Sequence, residues 1–449
     1  MGAFSRCRGA SRGNCERTFW AAIAALALLT AAPALVYAAP QSVHPVQKVS
    51  AAATDPLAEF FDQSAIQDIR LEMKQDDWET LRATYLANTY YPADMYWKDQ
   101  VVPIVGIRSH GHGSRNGAKP ALRIDFNRYV DQTFLNVKSI VLANAVQDPS
   151  MMRQRLSMLM FGRMGVPAPR VVHARLFVNG EYIGLYEAIE SVDKKLLARV
   201  FTKPDGKPDK EGYLFEYNWA DGYTWWYFGP ELEIYAGLFS PETHEDAAPA
   251  DLYGPLEEMF RTLNEAPDAD FEQAISEYLD LEAFVRYLAV ERFLADIDGF
   301  LGFWGPNNFH LYRFEGVNRS ALIAWDKDSA IQDRHEDLLT RVADNVLARR
   351  VLGIPRYYQQ YFETLKACAD LSMERSTPES TVGWFEEEMQ REITQFLPSA
   401  HADMNKPYTN ERVDGELEGM PRFARERGPF VANEVRKALA ELAEGLIRR

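Results

Sequence analysis

The sequence predicts an α+β chain of two lobes, strand-rich first and mostly helical after, and three observations carry that reading. Strand-like runs cluster before residue 190, where Leu122, Ile124 and Phe126 alternate and Asn179-Gly180 joins two apolar runs. Helical spacing dominates later: Leu281, Phe284, Val285 and Leu288 share one face, as do Val431, Val435, Leu439 and Leu442. The composition, 47% hydrophobic and 12% aromatic over 449 residues, supplies ample core, and no repeat is visible. A cleft between two lobes is a natural ligand site.

Taken in order, residues 1–38 read as a secretory signal. Arg6, Arg8, Arg12 and Arg17 precede a long apolar run that is broken by Pro33 and ends in Val36-Tyr37-Ala38, with cleavage expected after Ala38. The alternative is an uncleaved anchor, since the run is nearly long enough to span a bilayer. Cleavage removes four Arg and one Glu, which lowers the charge from −16 to −19. So acidic a chain is repelled by phosphate backbones and anionic membranes, so nucleic acid is excluded as a partner and no stable membrane span is expected after cleavage. Cys7 and Cys15 leave with the signal, and Cys368 is expected buried in a helix, so no intramolecular disulfide is available.

Residues 39–56 read as a flexible linker rich in Ala, Pro and Ser, and 57–335 as the domain core. Strands are expected at 101–108 and 121–126, with a Gly-rich basic loop between them. A helix capped by Asp148, with Pro149 at its first position, runs to Gly165. The hairpin at Asn179-Gly180 follows, then a charged turn at 203–212. Residues 222–275 read as an irregular, aromatic-rich insertion. The helix opened by Asp280 leads into a hairpin of "NFHLYRF" and "ALIAW", and 336–449 form a helical part packed on the same domain.

Three stretches carry chemistry. In "IRSHGHGSRNGAK", Gly111, Gly113 and Gly117 let backbone N–H groups approach an anion, and Arg108, Arg115 and Lys119 add positive charge. An ordinary exposed hairpin loop explains the same composition. In "LADIDGFLGFWGPNNF", Asp296, Asp298, Asn307 and Asn308 gather near a helix end, where such residues also favour turns. In "ALIAWDKD", Asp326 and Asp328 end a buried strand. Alternation puts them on one face if the strand continues, and paired carboxylates repel unless a cation or proton is shared. Hard oxygen ligands with an asparagine nearby suit magnesium or calcium rather than zinc. His110 and His112 lack partners at zinc-ligand spacing, and no Gly-x-Ser-x-Gly nucleophile is present.

The series "KPALRIDF", "LANAVQDPSMMRQRLS", "LFVNGEYIGLYEAIESVDKKLL", "NNFHLYR" and "IAWDKD" resembles the spore-coat CotH kinase-like family over roughly residues 60–335. The resemblance implies an atypical, two-lobed protein-kinase-like fold, export to the periplasm, cell surface or medium, and magnesium-dependent use of ATP on Ser or Thr of an exported or surface protein. It implies Asp298 as the catalytic aspartate. Asn308 and Asp326 become metal ligands with Asp328 in support. Arg108, Gly111, Gly113, Ser114 and Lys119 become the ATP-binding set, and Glu190 matches a family acid with no role that physics assigns. The loop departs from the family's Arg-Gly-Asn-Ser-Ser pattern and keeps only Ser114 of its hydroxyls. Ordinary kinases place the asparagine about five positions after the aspartate; here the insertion before Asn308 either bulges outward or breaks the Asp–Asn geometry. The sequence also admits a non-catalytic surface or coat assembly protein, and a phosphoester hydrolase using Asp296, Asp298, Asp326 and Asp328.

Overall fold

The computed structural model describes residues 55–447. The signal and nearly all of the linker lie outside the described residues. Among the described residues no helix is long and apolar enough to cross a membrane.

Seven strands close into a barrel: β1 (Gln67–Met73), β2 (Tyr91–Trp97), β3 (Gln100–Ser109), β4 (Leu122–Asp125), β5 (Ser139–Ala143), β6 (Val171–Val178) and β7 (Glu181–Glu190). Neighbours pair antiparallel except where β1 meets β6 in parallel, Gln67 opposite Ala174, to complete the ring. Alternation fills the interior: Ile69 and Leu71 of β1, Met95 and Trp97 of β2, and Leu122 and Ile124 of β4 are buried in one cluster. The β6–β7 turn is set locally. Asn179 and Gly180 both adopt positive φ, 50° and 82°, as a two-residue hairpin turn matching the strand twist requires.

Two helices interrupt the barrel strands, α1 (Gln75–Ala83) after β1 and α2 (Arg153–Arg163) after β5, and the chain leaves the barrel after β7 through α3 (Lys194–Val200) to build a second layer. There β8 (Tyr213–Tyr217), β9 (Phe239–Pro241), β10 (Phe309–Arg313) and β11 (Ser320–Ala324) form a sheet in the order β11-β10-β8-β9. Around it lie α4 (Leu232–Leu238), α5 (Pro249–Glu265), α6 (Asp268–Ile275), α7 (Leu281–Phe293), α8 (Val346–Leu352), α9 (Pro355–Met373), α10 (Trp384–Ala402) and α11 (Asn410–Ile447). The helical part carries the larger core, which includes Phe284, Val285 and Leu288 of α7, Cys368 of α9, and Val431 and Val435 of α11. The strand-rich first part and helical second part are therefore present as expected.

Two expectations are corrected. The stretch 222–275 is not irregular: it holds α4, β9, α5 and α6, and Trp225 and Tyr235 are fully buried there. Its aromatics are core, because a helix packed on a sheet needs large apolar volume. Asp148 does not cap α2 from the adjacent position. It accepts from the N–H groups of Ser150, Met152 and Arg153, spanning a turn whose Met151 has φ 55°.

Candidate active site

The second-layer sheet and α7 deliver the acids to one place. α7 ends at Phe293, and Ala295 turns left-handed with φ 50° to start the loop carrying Asp296 and Asp298. β11 ends at Ala324, and Asp326 has φ 45°. The strand therefore does not continue, and the expected shared face for Asp326 and Asp328 is lost to this turn. Asn308, entering β10, has φ 62°. Left-handed backbone costs a non-glycine residue roughly 1–2 kcal/mol, and three such residues bracketing four acids is a pattern associated with functional sites.

Asp298 is held by amides. Asn307 Nδ2 donates to both of its carboxylate oxygens at 3.3 Å, and Asn308 Nδ2 donates to its Oδ2 at 3.1 Å and its carbonyl at 3.0 Å. The Asp–Asn geometry survives the long spacing because the insertion bulges outward: Phe303 is 61% and Trp304 48% exposed, and Trp219 Nε1 donates to the Trp304 carbonyl. Gly305, with φ 106°, permits the return; a side chain there would meet the Tyr223 carbonyl at 2.7 Å.

Beneath the acids lies Lys327, buried, with Nζ 2.7 Å from Glu291 Oε1 and 3.1 Å from Asp296 Oδ2. Burial alone would depress its pKa, but Glu291, Tyr287 and Asp296 outweigh that and hold it well up, so it is an ammonium. Glu291 also accepts from the Phe300 N–H at 2.8 Å, and the Lys327 N–H donates to Gln154 Oε1. Lys327 thus staples the Asp298 loop to the Asp326 strand end.

The carboxylates above it are crowded. Burial pushes Asp298 up, with the Asn307 amide opposing. Desolvation by the surrounding protein, then the charge of Asp298, pushes Asp326 up to about 6. Asp328 is driven up by burial and by Asp326. Asp326 itself is exposed to solvent.

These residues fit a hard divalent cation. The Asp326 carboxylate has no hydrogen bond or ion pair among the described residues, and Asp328 receives only the Ser329 hydroxyl, at 3.1 Å. With Nδ2 spent on Asp298, Asn308 keeps Oδ1 as an acceptor. Among the described residues no three His, Cys, Asp or Glu side chains form a ready-made metal site. Two carboxylates and an amide oxygen suit magnesium, which keeps waters and draws further ligands from phosphates.

The remaining predicted residues divide. Gly111, with φ 92°, Gly113 and Ser114 form a loop clamped by Arg115, whose guanidinium donates to the carbonyls of Gly111, Tyr85 and Leu86. A side chain at Gly113 would meet the Gln147 amide at 3.8 Å, and Asn144 Nδ2 donates to the Ser114 carbonyl at 2.9 Å, so the loop packs on the segment that follows β5. Lys119 is placed otherwise: it is fully buried, with Nζ 2.7 Å from both Asp403 Oδ2 and the Leu185 carbonyl. Glu190 is buried between Arg170 and Arg199, which outweigh burial and hold its pKa down. Arg108, on β3, donates to Tyr90 Oη, Asn88 Oδ1 and the Ser109 carbonyl. Sequence reasoning missed Lys327 and Glu291 as parts of the site, and it named Asn307 beside Asn308 without giving it a role. The lysine between two aspartates was the available signal.

The family described as CotH kinase protein matches residues 107–431. Inner spore coat protein H of Bacillus subtilis is 24% identical over 356 residues, which is 76% of this chain and 92% of that protein. Invasin CotH2 of Rhizopus delemar is 24% identical over 256 residues, 56% of this chain but only 40% of the invasin's length. Among solved structures, the Helicobacter pylori proinflammatory kinase CtkA aligns over 71% of this chain and 94% of its own, at 8% identity and a TM-score of 0.28, a level at which it carries no argument. With the matched span covering most of the chain and containing every residue of the acidic site, the protein belongs to the CotH kinase protein family.

Proposed function

We propose that the chain is a kinase-like phosphotransferase of the exported or surface-associated kind, moving the γ-phosphoryl group of ATP to a Ser or Thr hydroxyl of a protein acceptor. The observation that carries the reading is Asp298, held by the amides of Asn307 and Asn308 and facing the unpartnered carboxylate of Asp326. A bound magnesium or manganese ion would neutralise phosphate charge, held by Asn308, Asp326 and Asp328. Asp298 accepts the acceptor's hydroxyl proton. Its raised pKa makes it a better base, and the two amides fix its direction. The relatives' names, a spore coat protein and an invasin, support a coat or surface setting for the acceptor.

A thermal-shift titration with ATP, with and without magnesium or manganese, tests the reading. Ligand at a hundred times its Kd stabilises by about 2.7 kcal/mol, and that gain should need both nucleotide and metal. Asp326→Ala should abolish the gain and leave the fold intact. Asp298→Asn should keep it while phosphotransfer falls by about 10²–10⁴. Unchanged nucleotide affinity in Asp326→Ala overturns the metal assignment. Absence of any nucleotide effect in the wild-type chain favours a non-catalytic assembly protein, a reading supported by the engagement of Lys119 with Asp403. Cleavage of phosphate esters without ATP would favour a hydrolase.

A further inference from the structure

The two segments that carry the acids have no regular backbone. One runs from the end of α7 at Phe293 to β10 at Phe309, the other from the end of β11 at Ala324 to α8 at Val346. Segments of this kind keep a catalytic spacing only where other groups tie them in place. Two main-chain bonds lay them side by side. Ile297 N–H donates to the Ser329 carbonyl at 3.3 Å, and Ile331 N–H donates to the Leu294 carbonyl at 2.6 Å. Asp298 directly follows Ile297, and Asp328 directly precedes Ser329.

A side chain from far along the sequence meets both segments. Arg427 of α11 is fully buried. Its Nε donates to the Phe293 carbonyl at 3.0 Å and its Nη2 to the Arg292 carbonyl at 2.7 Å. Its Nη1 donates to the carbonyls of Arg334 and Glu336, at 3.2 and 2.8 Å. The first two belong to the carbonyls that a helix end leaves without intrahelical partners, and a cation there meets the negative end of the helix dipole. One rigid, planar group thus grips the origin of the Asp298 loop and the stretch beyond Asp328. All four bonds end on main-chain oxygens. The Glu336 carboxylate faces Arg292 instead, with Nη1 2.7 Å from Oε1. Without the guanidinium, four buried acceptors must find new partners, and the two segments must shift to supply them.

We infer that Arg427 is a positioning residue of the acidic site, holding the Asp298 loop at a fixed distance from the strand end of Asp326 and Asp328. Its effect on rate rests on the phosphotransfer reading above. Amide hydrogen exchange on the whole, ligand-free chain tests the clamp, and ADP release from magnesium–ATP tests the consequence. Arg427→Lys keeps the charge without the fork. It should speed exchange in 294–299 and 329–336 about tenfold, with α9 unchanged. Its turnover should fall about tenfold to a hundredfold with the KM for ATP unchanged, because Asn308 and Asp326 flank the β10–β11 hairpin, whose pairing does not involve Arg427. Arg427→Gln should move both readouts further; should it fail to fold, Arg427→Lys carries the test. Arg425→Gln is the control: it breaks the pair with Glu386 of α10, loosens α11 and leaves both readouts as in the wild type. Wild-type exchange in Arg427→Lys, or the same acceleration in α9 or in Arg425→Gln, overturns the inference. Faster loop exchange with unchanged turnover overturns the positioning role and leaves a purely structural tie. A wild-type chain that releases no ADP overturns the phosphotransfer reading, and the exchange result then decides the clamp by itself.

Discussion

Lys327→Met is the perturbation with the clearest physical consequence. The ammonium bonds both Glu291 and Asp296, at 2.7 and 3.1 Å, and all three side chains are at most 1% exposed. Methionine fills similar volume but leaves two carboxylates buried without a counter-charge. Removing one partner of a buried pair costs about 3–5 kcal/mol, against a total stability of roughly 5–15 kcal/mol for a native protein. Glu291 keeps its bonds from Phe300 N–H and from Tyr287, which holds the loss within that range. Urea unfolding should show a lower midpoint at an unchanged slope. Adding Glu291→Gln should return part of the loss, since it deletes one abandoned charge. A single variant within about 1 kcal/mol of wild type would refute the claim that this ammonium neutralises the pair.

Two further outcomes test the frame around the site. Gly184→Ala places a methyl 2.5 Å from Asp403 Oδ2 at a φ of 152°, so Asp403 must move away from Lys119. The expected loss is about 3 kcal/mol or more by denaturant unfolding, and wild-type stability would show that the Lys119–Asp403 pair does not hold α10 to the barrel. His173 is buried, its pKa lowered to about 3 by burial and by Arg155, with Glu392 and Arg391 also facing it. Its folded value lies below its unfolded one, so its contribution is full above about pH 6.5 and is lost as pH falls toward 3. His173→Phe loses the bond to the Met151 carbonyl and is less stable at pH 7. Its deficit should shrink by about 1.4 kcal/mol per pH unit on acidification; a constant deficit would show that the ring is not kept neutral by the fold.

What the sequence disclosed was whatever is decided locally. Asn179-Gly180 dictates its own turn, Asp280 caps α7 by accepting from the Ala283 N–H, and the "NFHLYRF" and "ALIAW" runs pair as β10 and β11. The clustering of Asp298, Asn308 and Asp326 was also readable, because a hairpin joins two of them and a short loop adds the third. Barrel closure was not, since β1 alternates Ile69 and Leu71 but says nothing of β6 as its partner. Nor was the fate of Lys119: Pro120 indicates extended backbone, whereas Asp403 arrives from the far end of α10. The expected shared face of Asp326 and Asp328 failed because pleat alternation holds only while φ stays negative.

The parallel seam of the barrel has a consequence for how the molecule comes into being. The Met73 N–H at the end of β1 donates to Asn179 Oδ1, 106 positions later. An emerging chain therefore carries β1 to β5 as an open curved ribbon whose two outer strands lack neighbours until β6 and β7 follow. Loop-closure entropy makes such a long-range seam slow to form, and open ribbon edges invite pairing between copies. The hazard is greatest after β5 ends at Ala143 and before β7 ends at Glu190, so the speed with which β6 and β7 follow decides the yield of correctly closed molecules.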